Sequence, residues 1–181
     1  MKSTDSISDY FKVYEVERSS VADRLGIDNR APQWVLDNAM ATGIHVMDPI
    51  REYFGVPYGP QSWYRCEELE KVLTWDKGFA GWAARHNKVW CESPDLLGLS
   101  AWSEYFALKQ HPTGKATDNE IPGVSNDMLF FWIRDNLAYD QLIREFPKPN
   151  DPTSGWVHVS WAGTQQNRQM NFSIPYHDKY A

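Results

Sequence analysis

"KQHPTGKATD", residues 109–118, sets a histidine seven residues before an aspartate across a turn built from Pro112, Thr113 and Gly114. A turn of that composition needs neither side chain for its own geometry. Gly114 lets the chain double back, so His111 and Asp118 can point at one centre. Downstream, "WVHVS" (156–160) has the alternation of a strand and carries His158 within it. By residue type, His111, Asp118 and His158 meet the needs of a catalytic zinc site, which takes about three His, Asp, Glu or Cys ligands and keeps an open position for water. Their spacing alone is unspecific. A chain with five histidines offers many such triples, and a turn residue at 111 with a core histidine at 158 satisfies the same pattern.

The whole chain sets the frame around this segment. Its 181 residues suit one domain, 1–181, and 42% hydrophobic and 14% aromatic content can fill a substantial core. A net charge of -6, with no cluster of Lys and Arg, argues against a nucleic-acid binder, because phosphate neutralisation needs clustered cations. Cys66 and Cys91 lack CxxC spacing and the density of a disulfide scaffold, so they suit reduced thiols in a cytosol. The N-terminal segment lacks the apolar core of a secretory signal, and no run approaches transmembrane length. The expectation is a protein made in the cytoplasm, without signal peptide or membrane insertion.

Residues 29–55 place Val35, Leu36, Ala39, Ile44, Met47, Ile50 and Phe54 at roughly helical spacing, predicting one long amphipathic helix or two, stopped by Gly55. His45 falls beside that stripe as a packed or surface residue. "VPYGPQSWYR" (56–65) reads as a strand ending at Arg65. "CEELEKVLTW" (66–75) reads as a short helix whose Glu67, Glu68 and Glu70 form a solvated face. Residues 72–108 are dense in aromatics, among them Trp75, Trp82, Trp90 and Trp102, and irregular in period; with the preceding helix they read as an insertion over about 67–108. "VSNDMLFFWIRDNL" (124–137) predicts a helix capped by Ser125 or Asn126, with Met128, Leu129, Trp132, Ile133 and Leu137 on its apolar face. "AYDQLIRE", "GWVHVSW" and "QMNFSI" read as three short strands, and the proline-rich "FPKPNDPTSG" as a long loop between the first two.

"HPTGKATD" has the form HxxGxAxD, and together with "WVHVS" it resembles the zinc DD-peptidase family of D-Ala-D-Ala carboxypeptidases and phage endolysins. The resemblance extends, in order, over "FKVYEVERSSVADRLGIDNRAP", "VMDPIREYFGVP", "SWYR", "YDQLIRE", "GWVHVS" and "NRQMNFSI". These landmarks run from about Phe11 to near the C-terminus, interrupted by residues 67–108, and are similar to the branch of the family common in phages and prophages. The resemblance implies an α+β, hedgehog/DD-peptidase-like domain: a small antiparallel sheet carrying the zinc site, helices packed on one side, and an aromatic-rich insertion. It implies His111, Asp118 and His158 as ligands of Zn2+.

Departures from the family pattern carry their own expectations. The usual general base stands three residues before the last histidine, where this chain has Gly155. The related zinc fold of hedgehog signalling domains ends the preceding strand with an acid in a pattern similar to "DQLIRE", which implies Glu145 as the base. Arg65 in "SWYR" stands where the family has "SGYR", implying a role in binding substrate or stabilising an oxyanion. Trp63 replaces the family's glycine, which would narrow the cleft. Lys109 replaces a serine, which would remove a hydrogen bond behind a ligand.

The function so implied is a phage- or prophage-encoded zinc metallopeptidase cutting peptidoglycan stem peptides, as carboxypeptidase or endopeptidase. It would reach the cell wall after holin-type release or as part of a virion. A rival expectation is a tail or baseplate structural protein on the same fold, with reduced or no activity. Gly155, Lys109 and the insertion suggest it, since the aromatics at 72–108 could anchor phage structural proteins.

Overall fold

The computed structural model describes residues 1–90 and 99–176; Cys91 lies outside the described residues, and Cys66 is a half-buried free thiol. Helices α1 (Val13–Glu17) and α2 (Ser20–Leu25) lead into α3 (Gln33–Thr42), a π-helical turn at Gly43–Met47 and α4 (Asp48–Phe54). These last three run on without a break until Gly55 adopts φ +64°, so the helical spacing at 29–55 corresponds to one interrupted helix. The π turn falls just ahead of Pro49, whose missing N–H cannot close an ordinary α turn. Val35, Leu36, Ala39, Val46, Met47 and Ile50 along this unit are buried in the main core.

Residues 56–65 do not form the predicted strand. Pro57 and Pro60 offer no N–H to a ladder, and only an isolated bridge between Ser62 and Asp118 remains. The aromatic segment then folds as α5 (Glu67–Thr74), a second π turn at Trp75–Phe79, α6 (Ala80–Arg85) and α7 (Leu99–Phe106). It builds a hydrophobic cluster of its own around Phe79, whose ring lies 4.9 Å from Trp75 and 5.3 Å from both Trp102 and Tyr105. Trp75, Trp82 and Trp102 are buried there. Their aromatic surface serves as core.

Strand β1 (Ala116–Asn119) follows the turn at His111–Thr113 and Gly114, so Asp118 sits on a strand rather than in the turn itself. Helix α8 (Asn126–Asn136) comes next, with Ser125 Oγ accepting from the Met128 N–H as its N-cap. Its buried face is Leu129, Phe130 and Ile133, while Met128 points to solvent. Strands β2 (Gln141–Glu145), β3 (Trp156–Ser160) and β4 (Met170–Ile174) complete an open sheet in the order β1-β3-β2-β4.

The sheet is mixed, not wholly antiparallel as expected. β3 pairs antiparallel with both β1 and β2, but β4 runs parallel to β2. The chain leaves β3 at the end where β2 begins, and the connection 161–169 is too short to cross the sheet. β4 therefore starts at that same end, with Gln169 and Met170 donating to the Tyr139 and Asp140 carbonyls. Among the described residues, no helix is long and apolar enough to cross a membrane.

Helix α3 fixes the turn that opens β1. Asn38 Nδ2 donates to the Thr113 carbonyl at 2.9 Å, and Thr42 Oγ1 donates to the Gly114 carbonyl at 3.3 Å. Gly114 has φ +75°, and a Cβ there would lie 2.5 Å from the Val35 carbonyl oxygen. Gly114→Ala should therefore cost about 2 kcal/mol or more, from left-handed strain and the displaced helix together. Urea denaturation measures it, and an unchanged midpoint would show that the turn is not held this way.

Candidate metal centre

Register brings the first two site residues together. Asp118 on β1 and His158 on β3 are directly paired, and partners across antiparallel strands place their side chains side by side on one face. His111 arrives from the turn before β1. The three are buried, and one ligand atom from each lies within 4.8 Å of the others. Asp118 Oδ1 is 3.2 Å from His111 Nε2 and 3.0 Å from His158 Nδ1.

Hydrogen bonds behind each imidazole determine what it presents to the centre. His111 Nδ1 lies 2.7 Å from the Trp63 carbonyl, which can only accept, so the proton is on Nδ1. Burial first, then the charge of Arg65, lowers the His111 pKa to about 4. Its neutral ring aims the Nε2 lone pair at Asp118. His158 Nε2 lies 3.4 Å from Gln110 Oε1. Gln110 is oriented by its own Nε2, which donates to Asp140 Oδ2 at 2.6 Å, and Asp140 is clamped by Arg168 at 2.7 Å. The other ring nitrogen of His158, Nδ1, faces Asp118 Oδ1 at 3.0 Å.

One nitrogen of each imidazole and a carboxylate oxygen thus converge on one centre. Two imidazoles with one carboxylate are borderline-to-hard donors that suit a divalent transition metal. The residues fit a metal ion. Burial pushes the Asp118 carboxyl up, but His111 and Arg65 beside it, with the contact to His158, hold it well below the usual carboxylate range.

Arg65 is committed on several sides. Nε donates to Ser62 Oγ at 2.7 Å, Nη2 donates to Asp118 Oδ2, and Nη1 lies 3.7 Å from Glu70 Oε2. Its side chain keeps 18% exposure. Trp63 does not narrow a cleft: it is wholly buried in the main core, donates from Nε1 to the Gly114 carbonyl at 3.0 Å and offers its own carbonyl to His111. Lys109 itself faces Glu70 and the Tyr105 ring, and the residue behind His158 is its neighbour Gln110. Glu70 corrects the reading of 67–70 as a solvated face, for it is 1% exposed beside Arg65 and Lys109.

Gly155 adopts φ +63°, and a Cβ there would overlap the backbone carbonyl of Glu145. No acidic side chain fits that position on this backbone. Glu145 itself ends β2, two residues after Ile143, which pairs with His158. Side chains two apart on a strand share a face, so Glu145 is on the His158 side of the sheet. Burial, then the negative charge of Asp118, pushes its carboxyl up to about 7, against the pull of His158, Arg65 and Lys109.

Sequence reasoning missed Gln110, Asp140, Arg168 and Glu70. Asp140 and Gln110 are far apart in the chain and meet only through strand register. Two basic residues, Arg65 and Lys109, converging on one site were the available signal for a buried acid nearby. Comparison of the chain with protein-family models, with curated proteins and with solved structures finds no match to any of them.

The raised Glu145 carboxyl makes stability of the metal-free protein depend on pH. Below its ordinary value of 4.5 it is protonated in folded and unfolded chains alike; as pH rises through about 7 the wild type loses stability relative to Glu145→Gln, which cannot ionise. Denaturation in the presence of a chelator should show the two proteins converging in acid, with the variant ahead by about 1–3 kcal/mol above neutrality. A gap that does not change with pH would place the carboxyl in solvent.

Proposed function

We propose that the protein is a zinc-dependent peptidase of hedgehog/DD-peptidase-like fold that hydrolyses peptide bonds of peptidoglycan stem peptides and is encoded by a phage or prophage. The observation that carries the reading is the convergence of buried ligand atoms of two imidazoles and one carboxylate, on the HxxGxAxD and "WVHVS" segments with Glu145 on the same face of the sheet. His111, Asp118 and His158 hold the metal. When bound, zinc would lower the pKa of a coordinated water toward ~7 and polarise the scissile carbonyl.

The remaining chemistry belongs to the chain. Glu145 accepts the proton of the attacking water and returns it to the nitrogen of the departing amine, so that the C–N bond breaks with no net proton change at the enzyme. A carboxyl held near neutrality by its surroundings suits both transfers. Arg65 keeps Asp118 ionised through Nη2, and its partly exposed guanidinium supplies positive charge for a peptide carboxylate or a developing oxyanion. Gly155 is compatible with this scheme because the base enters from β2. The protein acts on the cell wall after release from the host cytoplasm or from a virion.

Purified protein should carry about one zinc per chain, and His158→Ala should lose it. Glu145→Gln should keep fold and zinc while cutting turnover of peptidoglycan fragments by ~100-fold or more, with products identified by mass. Wild-type turnover in that variant would remove Glu145 from the role. A zinc-loaded wild type that is inert on every stem peptide yet incorporated into particles would favour a tail or baseplate component instead.

A further inference from the structure

Arg65 and Lys109 bring two positive charges to the border of a site suited to a divalent cation, and the structure places one buried acid between them. Glu70 Oε2 lies 3.7 Å from Arg65 Nη1, and Oε1 lies 3.9 Å from Lys109 Nζ. At 1% exposure, with Oε2 making no hydrogen bond, Glu70 is not there for solvation. It comes from α5, the first helix of the aromatic segment, and Tyr105 of α7 adds its ring 4.1 Å from the same lysine ammonium. The core thus contributes the cations, and the aromatic segment contributes the carboxylate and π face that hold them.

Charge decides what this arrangement does. Arg65 takes Oδ2 of Asp118 while Oδ1 faces both imidazoles, so the guanidinium and a cation held by these residues would share one carboxylate. Lys109 adds a second cation on the Glu70 side of Arg65. Two fixed positive charges oppose a third, divalent one in a site with little water to screen them. Of the groups packed against both cations, Glu70 is the anion buried between them.

We propose that Glu70 is a positioning residue of the metal centre, delivered by the aromatic segment, whose charge holds Arg65 and Lys109 in place and offsets them so that a divalent cation can bind beside them. It acts through those two side chains, and the inference rests on metal occupancy of His111, Asp118 and His158. The aromatic segment is on this account part of the metal site's electrostatics. Its helices need not touch substrate to matter to the centre.

Zinc affinity of the 181-residue chain, measured by competition with a chromophoric chelator near neutral pH, tests it without reference to activity. Glu70→Gln, nearly isosteric, should weaken binding by ~10–100-fold, the usual effect of losing a group that supports ligands from outside the coordination sphere. Lys109→Met alone should bind zinc more tightly than wild type, and this arm does not depend on a Glu70 variant folding. Adding Lys109→Met to Glu70→Gln should return affinity to within a few-fold of wild type. Unchanged affinity in Glu70→Gln, no tightening in Lys109→Met, or a double variant as weak as Glu70→Gln would each overturn the proposal. Wild type that binds no zinc would overturn the metal reading itself.

Discussion

A carboxylate at 5% exposure costs several kcal/mol unless its oxygens are matched by charge or donors, and Asp118 is where this fold meets that cost. One oxygen takes Arg65. The other faces two imidazoles, each turned toward it by a hydrogen bond on its far side. Every larger feature near the centre can be traced to keeping those three groups in place: the Gly114 turn, the direct pairing of Asp118 with His158, and the Trp63 carbonyl behind His111. Strand register sets the Asp118–His158 distance, and the turn held at Gly114 brings His111 to them.

The same dependence on register governs Gly155. The β2–β3 loop must bring β3 back tightly against the end of β2, and only a residue without a Cβ can pass the Glu145 carbonyl there. The same close approach aligns Glu145 with the start of β3, on the face that carries His158. Gly155 and Glu145 are therefore two sides of a single backbone contact. Desolvation by that packing, with Asp118 nearby, raises the Glu145 carboxyl toward neutrality.

Much of the His111, Asp118 and His158 cluster was legible because its signals are local. HxxGxAxD requires a glycine where φ is positive, and alternation around His158 marks a strand. Helical spacing at 29–55 and the three C-terminal strands were legible for the same reason. Strand direction was not, since the parallel run of β4 follows from where β3 ends. Residues 56–65 looked extended, and two prolines kept them from joining the sheet. Glu70 was misread because a run of glutamates on a short helix has the pattern of a solvated face, and only the docking of the aromatic segment beside Arg65 and Lys109 buries it. Gln110 and Asp140 could be paired only after register was known.

Zinc K-edge X-ray absorption on the purified, metal-loaded protein tests the central claim most directly, because it reports the atoms around the ion. The account predicts a first shell of nitrogen and oxygen alone at ~2.0–2.2 Å, with the outer scattering of two imidazoles. Sulfur at ~2.3 Å, or a shell without two imidazoles, would contradict it by placing the metal away from His111, Asp118 and His158.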